Sequence, residues 1–257
     1  MGKILGVIPA HLESTRLRRK LLAPICGHPM ILWVYRRARQ APCLDDLLVA
    51  TDSEEILEFC RYNGVPVAMT STQHRSGSDR IFEVIERSLM SGADPEIYVN
   101  IQGDEPMILP EHIDLLVGPL HSPAAAGNVQ VSTLKVPISP EDARDPSNVK
   151  VVTDMDGRAL YFSRAMIPYD REQSGEAQYH KHLGLYAYTA QAVRRFHSLP
   201  PSALELSEKL EQLRFLENGI PVYVSETLHD TIGVDTADDL RKVEEYFRRE
   251  GIVLPGK

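Results

Sequence analysis

Short apolar runs alternate with amphipathic segments through the first hundred residues of the chain. The apolar runs have the length and composition of strands that are buried on both faces. They occur at Ile4–Pro9, Leu47–Thr51, Val67–Thr70 and Ile97–Ile101. Segments with apolar residues at helical spacing lie at Pro29–Gln40, Ser53–Asn63 and Asp79–Met90. This alternation predicts βαβ units, and therefore an open, doubly wound, mostly parallel α/β sheet with helices on both faces.

The second half of the chain has a different pattern. Strand-like runs occur at Val129–Val136, Val149–Thr153, Ala159–Phe162, Gly184–Thr189 and Pro221–Ser225. Helical periodicity returns at Ala190–His197, Leu204–Asn218 and Thr236–Arg249. A turn at 154–157 predicts a hairpin, and so a mixed sheet. We therefore expect one α/β domain over 1–257, with a core from 1–128 and 220–257 and a mixed-sheet insertion over 129–219.

Charge and cysteine content narrow the class of protein. Acidic residues outnumber basic ones by 36 to 28, and the net charge is −8. Duplex binding needs a basic face, so we expect no nucleic-acid partner. Cys26, Cys43 and Cys60 form no C-x-x-C pair, which fits a reducing compartment. No signal peptide is evident, and no apolar stretch approaches the ~20 residues of a membrane span. The sequence predicts a cytoplasmic protein without membrane insertion.

The loop after the first strand collects positive charge in this acidic chain. It begins at Ala10, and its polar residues include His11, Ser14, Thr15, Arg16, Arg18, Arg19 and Lys20. Ligands of open α/β sheets bind at the carboxyl ends of strands. Backbone N–H groups, hydroxyls and fixed cations together suit a polyphosphate. We predict a phosphate-binding loop that is not of the Walker type; the alternative is a solvated basic turn.

Acidic residues in two later segments suit a metal ion. Asp104, within Gln102-Gly103-Asp104, ends the fourth strand, and Mg²⁺ prefers carboxylate and phosphate oxygens. Asp235 lies at a strand-to-helix junction. It is either the N-cap of the last helix or a second metal carboxylate in partnership with Asp104.

A polar loop precedes the third helix. Ser76-Gly77-Ser78 can carry a nucleotide on its backbone, and Arg80 can bind a phosphate or base oxygen. The alternative is a capping box of Ser76 with Asp79.

Polar residues of the second half suit an acidic second substrate. Arg164, Lys181 and His182 can hold such a substrate. A zinc site at the histidines lacks further ligands, and Mg²⁺ disfavours imidazole. Glu211, Gln212 and Arg214 belong to the same candidate set. For Glu211 and Gln212 the alternative to a role in this site is a simple amphipathic helix, and for Arg214 it is a structural ion pair.

Several of these motifs occur in the same order in the sequences of a known protein family. They are Ile8-Pro9-Ala10, Ser14-Thr15-Arg16-Leu17 with Lys20, Ser76-Gly77 with Arg80, Gln102-Gly103-Asp104-Glu105-Pro106, Ala159–Arg164, His182-Leu183-Gly184 and Glu211-Gln212-Leu213-Arg214. Together they resemble the 3-deoxy-manno-octulosonate (Kdo) cytidylyltransferases, in register over nearly the whole chain.

The resemblance implies a fold of the nucleotide-sugar-transferase type, a homodimer, and CMP transfer from CTP to Kdo for lipopolysaccharide biosynthesis. It implies Mg²⁺ held by Asp104 and Asp235, with Lys20 as a further catalytic residue. The implied CTP site comprises Ala10, His11, Ser14, Thr15, Arg16, Lys20, Ser76, Gly77, Arg80, Gln102 and Asp104. The implied sugar site, in the insertion that also forms the dimer, comprises Arg164, His182, Tyr186, Glu211 and Gln212.

The phosphate loop departs from the pattern of that family. His11 stands where the family usually has arginine, and Arg18-Arg19 replace Pro-Gly. A neutral imidazole carries no charge, so either protonated His11 or one of the added arginines serves the phosphate. Three functions stay open: the Kdo reaction, the same chemistry on 8-amino-Kdo or a sialic acid, and nucleotide binding without turnover.

Overall fold

The chain divides into two compact units. The computed structural model describes residues 2–14, 16–74, 76–92, 95–121 and 129–256, so Thr15 of the expected CTP site lies outside the described residues. Unit 1 is Met1–Asp114 with Thr231–Lys257, and unit 2 is Leu115–Asp230. Unit 2 thus begins before the expected insertion over 129–219 and ends after it.

Unit 1 is built on a parallel sheet. Its strands are β1 (Ile4–Ala10), β4 (Asp46–Thr51), β5 (Val67–Met69) and β6 (Ile97–Asn100), in the order β6-β1-β4-β5. Central β1 pairs Gly6 with Leu47 of β4 and Val7 with Asn100 of β6. The parallel βαβ architecture expected from the apolar runs is confirmed.

Helices and one short hairpin surround this sheet. The hairpin is β2 (Pro24–Ile25) with β3 (His28–Pro29), after a 3₁₀ turn at Lys20–Leu22. The helices are α1 (Met30–Ala38), α2 (Glu54–Tyr62), α3 (Gly77–Met90), α4 (Pro110–His121), which crosses the division between the units, and α9 (Ala237–Arg249). Trp33 of α1 packs on Phe247 of α9, with ring centroids 4.6 Å apart. This apolar core also buries Val234, the residue before Asp235.

Unit 2 contains a mixed sheet, as expected. Its strands are β7 (Val131–Ile138), β8 (Lys150–Thr153), β9 (Ala159–Ser163), β10 (Tyr179–Thr189) and β11 (Val222–Glu226). β7 runs antiparallel to β10 and parallel to β11, while β8 and β9 form the expected hairpin. Because β11 pairs with β7, residues 220–230 belong to unit 2 rather than to the core.

The helices of unit 2 differ in part from expectation. They are α5 (Pro140–Arg144), α6 (Ala190–Ser198), α7 (Ala203–Glu208) and α8 (Leu213–Glu217). The single helix expected over 204–218 is wrong, because Lys209 adopts a left-handed conformation (φ 56°) that ends α7. Among the described residues, no helix has the length and apolar character needed to cross a membrane.

A buried lysine organises the hairpin of unit 2. Lys150 of β8 has no exposed surface. Its Nζ donates to the carbonyl oxygens of Asp145 (2.9 Å), Asn148 (2.5 Å) and Arg164 (2.8 Å). These three bonds use all three ammonium hydrogens, so the lysine joins the segments on either side of the hairpin.

Lys150→Met should destabilise the protein by about 3 kcal/mol, because three carbonyl oxygens lose their charged donor in a buried place. Thermal melts compared with the exposed control Lys242→Met, which breaks a surface pair with Asp238, would measure the difference. Equal melting temperatures for the two variants would contradict the structural role of Lys150.

Candidate active site

One ammonium group lies at the centre of the site in unit 1. Lys20 Nζ donates to Asp104 Oδ2 at 2.7 Å and to Asp235 Oδ1 at 3.0 Å. The lysine side chain is only 13% exposed. Burial alone lowers the pKa of Lys20, but the Asp104 and Asp235 carboxylates outweigh it, and the pKa is raised overall. The three expected catalytic residues therefore meet at one point, with the lysine charged.

The structure excludes one of the two alternatives for Asp235. Thr236, not Asp235, is the N-cap of α9, in a reciprocal capping box with Asp239. The Asp235 carboxylate instead accepts from Lys20 and pairs with Arg16 at 2.9 Å. Asp235 therefore faces the cations of the first loop, and the interpretation as a cap is wrong.

Backbone contacts hold the two carboxylates near one another. The Val234 N–H donates to the Asp104 carbonyl oxygen at 2.9 Å. Gly103 lies so close to β1 that an added Cβ would come within 3.0 Å of the Pro9 carbonyl oxygen. A side chain at position 103 would displace the turn that carries Asp104.

The residues around Lys20 suit a hard cation. Asp104 and Asp235 each direct one oxygen at the same positively charged nitrogen, so both can reach a shared cation. Mg²⁺ is bound in just this way, by one or two carboxylates together with phosphate oxygens and water. Within the described part of the chain, no cluster of three or more His, Cys, Asp or Glu side chains suits a metal. Asp104 and Asp235 therefore offer two carboxylates, and a cation bound there would need phosphate oxygens and water as its other ligands.

A second charged cluster lies beside β1 and β4. His11 Nδ1 contacts both carboxylate oxygens of Asp52, at 3.0 and 2.8 Å. Arg80 Nη2 donates to Asp52 Oδ2 at 2.9 Å, and both of those side chains are 4% exposed. The structure thus brings together His11 and Arg80 of the expected CTP site. The sequence-based interpretation missed Asp52, although its place directly after a buried strand is the same signal that identified Asp104.

The loop before α3 is attached to that helix. Glu83 accepts from the Ser71 N–H at 2.8 Å and contacts His74 Nε2 at 2.5 Å. Ser76 Oγ accepts from the Asp79 N–H at 3.2 Å, which is one of the two bonds of the capping box offered as the alternative for Ser76. Gly77 places the helix start against β1, because an added Cβ would lie 3.3 Å from Pro9 Cγ.

The remaining residues of the expected CTP site lie at the ends of β1 and β6. Ala10 is fully buried and can present only its backbone. Ser14 Oγ accepts from the Leu17 N–H at 3.4 Å, and Gln102 Nε2 donates to Asn100 Oδ1 at 3.4 Å. Arg19 adopts a left-handed conformation, and its guanidinium pairs with Glu55. That pairing disfavours Arg19 as the replacement for the missing loop arginine.

The expected sugar-binding residues of unit 2 include a buried aromatic cluster. His182 lies between Phe162 and Tyr186, at ring-centroid distances of 4.9 and 5.5 Å. Burial lowers the pKa of His182 to about 3, so the ring is neutral. Burial, assisted by Tyr188 and Glu211, also raises the pKa of Tyr186 well above its usual value. His182 therefore brings no positive charge to this set, because no charged partner among the described residues offsets the cost of burying its cation.

The other residues of this set have different environments. The Arg164 guanidinium donates to the carbonyl oxygens of Glu208 (2.9 Å) and Pro146 (3.1 Å). Glu211 is exposed, whereas Gln212 is buried. Arg214 pairs with Glu205 and lies 4.1 Å over the Phe196 ring. The structural ion pair offered as the alternative for Arg214 is therefore confirmed.

Comparison with known proteins shows what this arrangement is similar to. A family profile described as Cytidylyltransferase matches residues 5–222. The 3-deoxy-manno-octulosonate cytidylyltransferase of Acidobacterium capsulatum is 55% identical over 95% of this chain and 96% of its own length. That of Koribacter versatilis is 51% identical over 96% and 90%. A structure of CMP:2-keto-3-deoxy-manno-octonic acid synthetase complexed with CTP has a TM-score of 0.89 at 40% identity, covering 96% of this chain and 99% of that one.

The neutral state of His182 predicts acid sensitivity. Because its pKa is about 3 in the folded protein and near 6.5 when unfolded, the unfolded chain binds the proton first as pH falls. The free energy of unfolding should therefore decrease from about pH 6.5 towards pH 3, by up to ~1.4 kcal/mol per pH unit. His182→Gln should flatten this slope in denaturant titrations, whereas the exposed control His197→Gln should keep it. Identical slopes in the two variants would refute the assignment.

Proposed function

We propose that this chain, which belongs to the 3-deoxy-manno-octulosonate cytidylyltransferase family, transfers CMP from CTP to Kdo and releases pyrophosphate. The observation that carries the proposal is the meeting of Lys20, Asp104 and Asp235 at one point. These residues come from three separate segments, and each lies at a position that the sequence marked for triphosphate or metal.

The reaction needs no covalent enzyme intermediate. A hydroxyl oxygen of the sugar attacks the α-phosphorus of CTP, a new O–P bond forms, and the bond to the β-phosphate oxygen breaks. The hydroxyl proton passes to solvent, and pyrophosphate leaves with the bonding electron pair. Catalysis by the protein is then alignment of the reacting atoms and stabilisation of negative charge.

Residues of unit 1 bind the triphosphate in this proposal. Lys20 and Arg16 offset the charge that develops on the leaving pyrophosphate, because both are cations of the loop after β1. The Ser76-Gly77 backbone, Gln102 and Arg80 hold the rest of the nucleotide. Ala10, His11, Ser14 and Thr15 complete the loop.

Mg²⁺ fits the same place, since Asp104 and Asp235 offer it hard oxygen ligands. When bound there it would supply Lewis-acid charge neutralisation. The two carboxylates hold Lys20 at 2.7 and 3.0 Å, which keeps the ammonium positioned and charged. We propose that activity depends on this ion.

Residues of unit 2 bind the acidic sugar in this proposal. Tyr186 and neutral His182 offer hydrogen bonds, whereas Arg164 offers charge. Glu211 and Gln212 are neighbours in the chain, and the first is exposed while the second is buried. Neutral donors can recognise sugar hydroxyls, so this mixture suits a polyhydroxy acid better than a simple carboxylate.

The setting of the enzyme follows from the same proposal. Its product would serve lipopolysaccharide biosynthesis in the cytoplasm, where unpaired cysteines such as Cys60 remain reduced. A homodimer formed through unit 2 is supported by apolar side chains left on its surface, such as Leu160 of β9, which is 62% exposed.

A pyrophosphate-release assay with CTP and Mg²⁺ tests the reaction. Kdo should support turnover, while 8-amino-Kdo and a sialic acid should support much less. Turnover with another sugar alone would replace Kdo as the substrate. CTP binding without turnover on any sugar would contradict the enzymatic proposal. Omitting Mg²⁺ and adding a chelator should abolish release.

Asp104→Asn and Asp235→Asn should each reduce kcat by roughly a hundredfold or more, because the site loses a negative ligand where charge is neutralised. Asp238→Asn is the matched control, since this exposed carboxylate lies three residues from Asp235 and, among the described residues, forms its ion pairs with Arg241 and Lys242 of α9. Thermal melts of all three should stay close to the parent. Full activity of Asp235→Asn would remove Asp235 from the site.

A further inference from the structure

The Asp52 carboxylate links two residues that the proposed function places at the nucleotide. It lies directly after β4, with a side chain that is 4% exposed. It contacts His11, whose side chain is 54% exposed, and buried Arg80. Asp52 is therefore buried, whereas the His11 side chain that it contacts reaches the surface.

The contact determines which ring nitrogen of His11 carries hydrogen. A carboxylate only accepts hydrogen bonds, so Nδ1, at 2.8 and 3.0 Å from the Asp52 oxygens, must be the donor. A neutral imidazole has one N–H, and here it is used on Asp52. Nε2 then has a lone pair, which repels a phosphate oxygen. Only the doubly protonated ring can donate from Nε2 while keeping its bond to Asp52.

We propose that Asp52 is a positioning residue of the nucleotide site, which keeps the hydrogen of His11 on Nδ1 and so makes His11 a phosphate donor only when the ring takes up a proton. This rests on the proposed function, because it requires a phosphate at His11. The binding of CTP is then coupled to the uptake of a proton by the protein. An arginine at position 11 would bind the phosphate without taking up a proton, because it is always charged.

The charges around His11 are of opposite sign. Asp52, from the loop after β4, is the anion that contacts the ring, and Arg80, from α3, is the cation bound to the same carboxylate. Phosphate arriving at Nε2 adds a second acceptor beside the ring, and only a ring with a hydrogen on each nitrogen donates to both acceptors. Proton uptake should therefore accompany binding.

Calorimetry of CTP binding with Mg²⁺ at about pH 8, in two buffers of different ionisation enthalpy, counts the protons taken up. The parent protein should take up a fraction of one proton per CTP. His11→Arg should take up none and bind at least as tightly, because guanidinium is always charged. Equal uptake by the parent and His11→Arg would overturn the proposal.

Asp52→Asn separates the positioning role from the presence of His11. An amide leaves the ring free to turn a neutral N–H towards phosphate, so proton uptake should fall below that of the parent. The KM for CTP should rise roughly tenfold, because Arg80 loses the carboxylate that positions it, and kcat should change much less, because Asp52 does not touch the reacting atoms. Undiminished uptake by Asp52→Asn would show that Asp52 does not control the ring.

The control is Asp45→Asn, which removes a carboxylate just before β4 that accepts from the Ile4 N–H at 2.7 Å. It should leave KM and proton uptake at parental values. If Asp52→Asn fails to fold because Arg80 loses its partner, the comparison of the parent with His11→Arg still decides. Turnover of Kdo without proton uptake would contradict this inference alone, whereas failure to bind CTP would contradict the proposed function as well.

Discussion

The Lys20 ammonium joins parts of unit 1 that are far apart in the chain. Asp104 is 84 residues away and Asp235 is 215. Two carboxylates that approach one another repel, and a half-buried lysine without a partner pays for its lost hydration. Each group therefore removes the cost of the other, and the loop after β1, the end of β6 and the start of α9 become one rigid constellation. This arrangement of charges is the basis of the triphosphate and metal site proposed above.

Unit 2 relies on a different kind of polar chemistry. Around the proposed sugar site the buried groups His182 and Tyr186 are kept neutral, and the charge of buried Lys150 is enclosed by backbone carbonyls, although Glu205 and Arg214 form an ion pair elsewhere in the unit. Unit 1 instead gathers full charges of both signs around Lys20 and Asp52. Full charges, as in unit 1, suit the binding of charged phosphates, whereas neutral donors and acceptors, as in unit 2, suit the hydroxyls of a sugar. The division of labour in the proposed function follows this difference in electrostatics.

Much of the fold and part of the site could be predicted from the sequence, because both depend on local periodicity. Buried strands are recognisable in the sequence as apolar runs. Because ligands bind where the carboxyl ends of parallel strands share one edge, Asp104 could be predicted as a site residue from its place after such a run. The end of α7 at Lys209 could not be predicted, since nothing in the sequence marks a lysine that adopts a left-handed conformation. Nor could the pairing of His11 with Asp52, which joins residues 41 apart through tertiary packing. Burial, which sets the charge of His182, is likewise a property of the assembled unit.

The two-segment construction of unit 1 has a consequence for how the protein is made. Residues 1–114 supply the parallel sheet, the phosphate loop and Asp104, but Asp235 arrives only after all of unit 2 has been synthesised. On the ribosome, the first segment must wait in a partly complete state while unit 2 emerges and folds. The contact between Lys20 and Asp235 then closes a loop of more than two hundred residues. The site proposed for the triphosphate is thus assembled only after unit 2 has been translated.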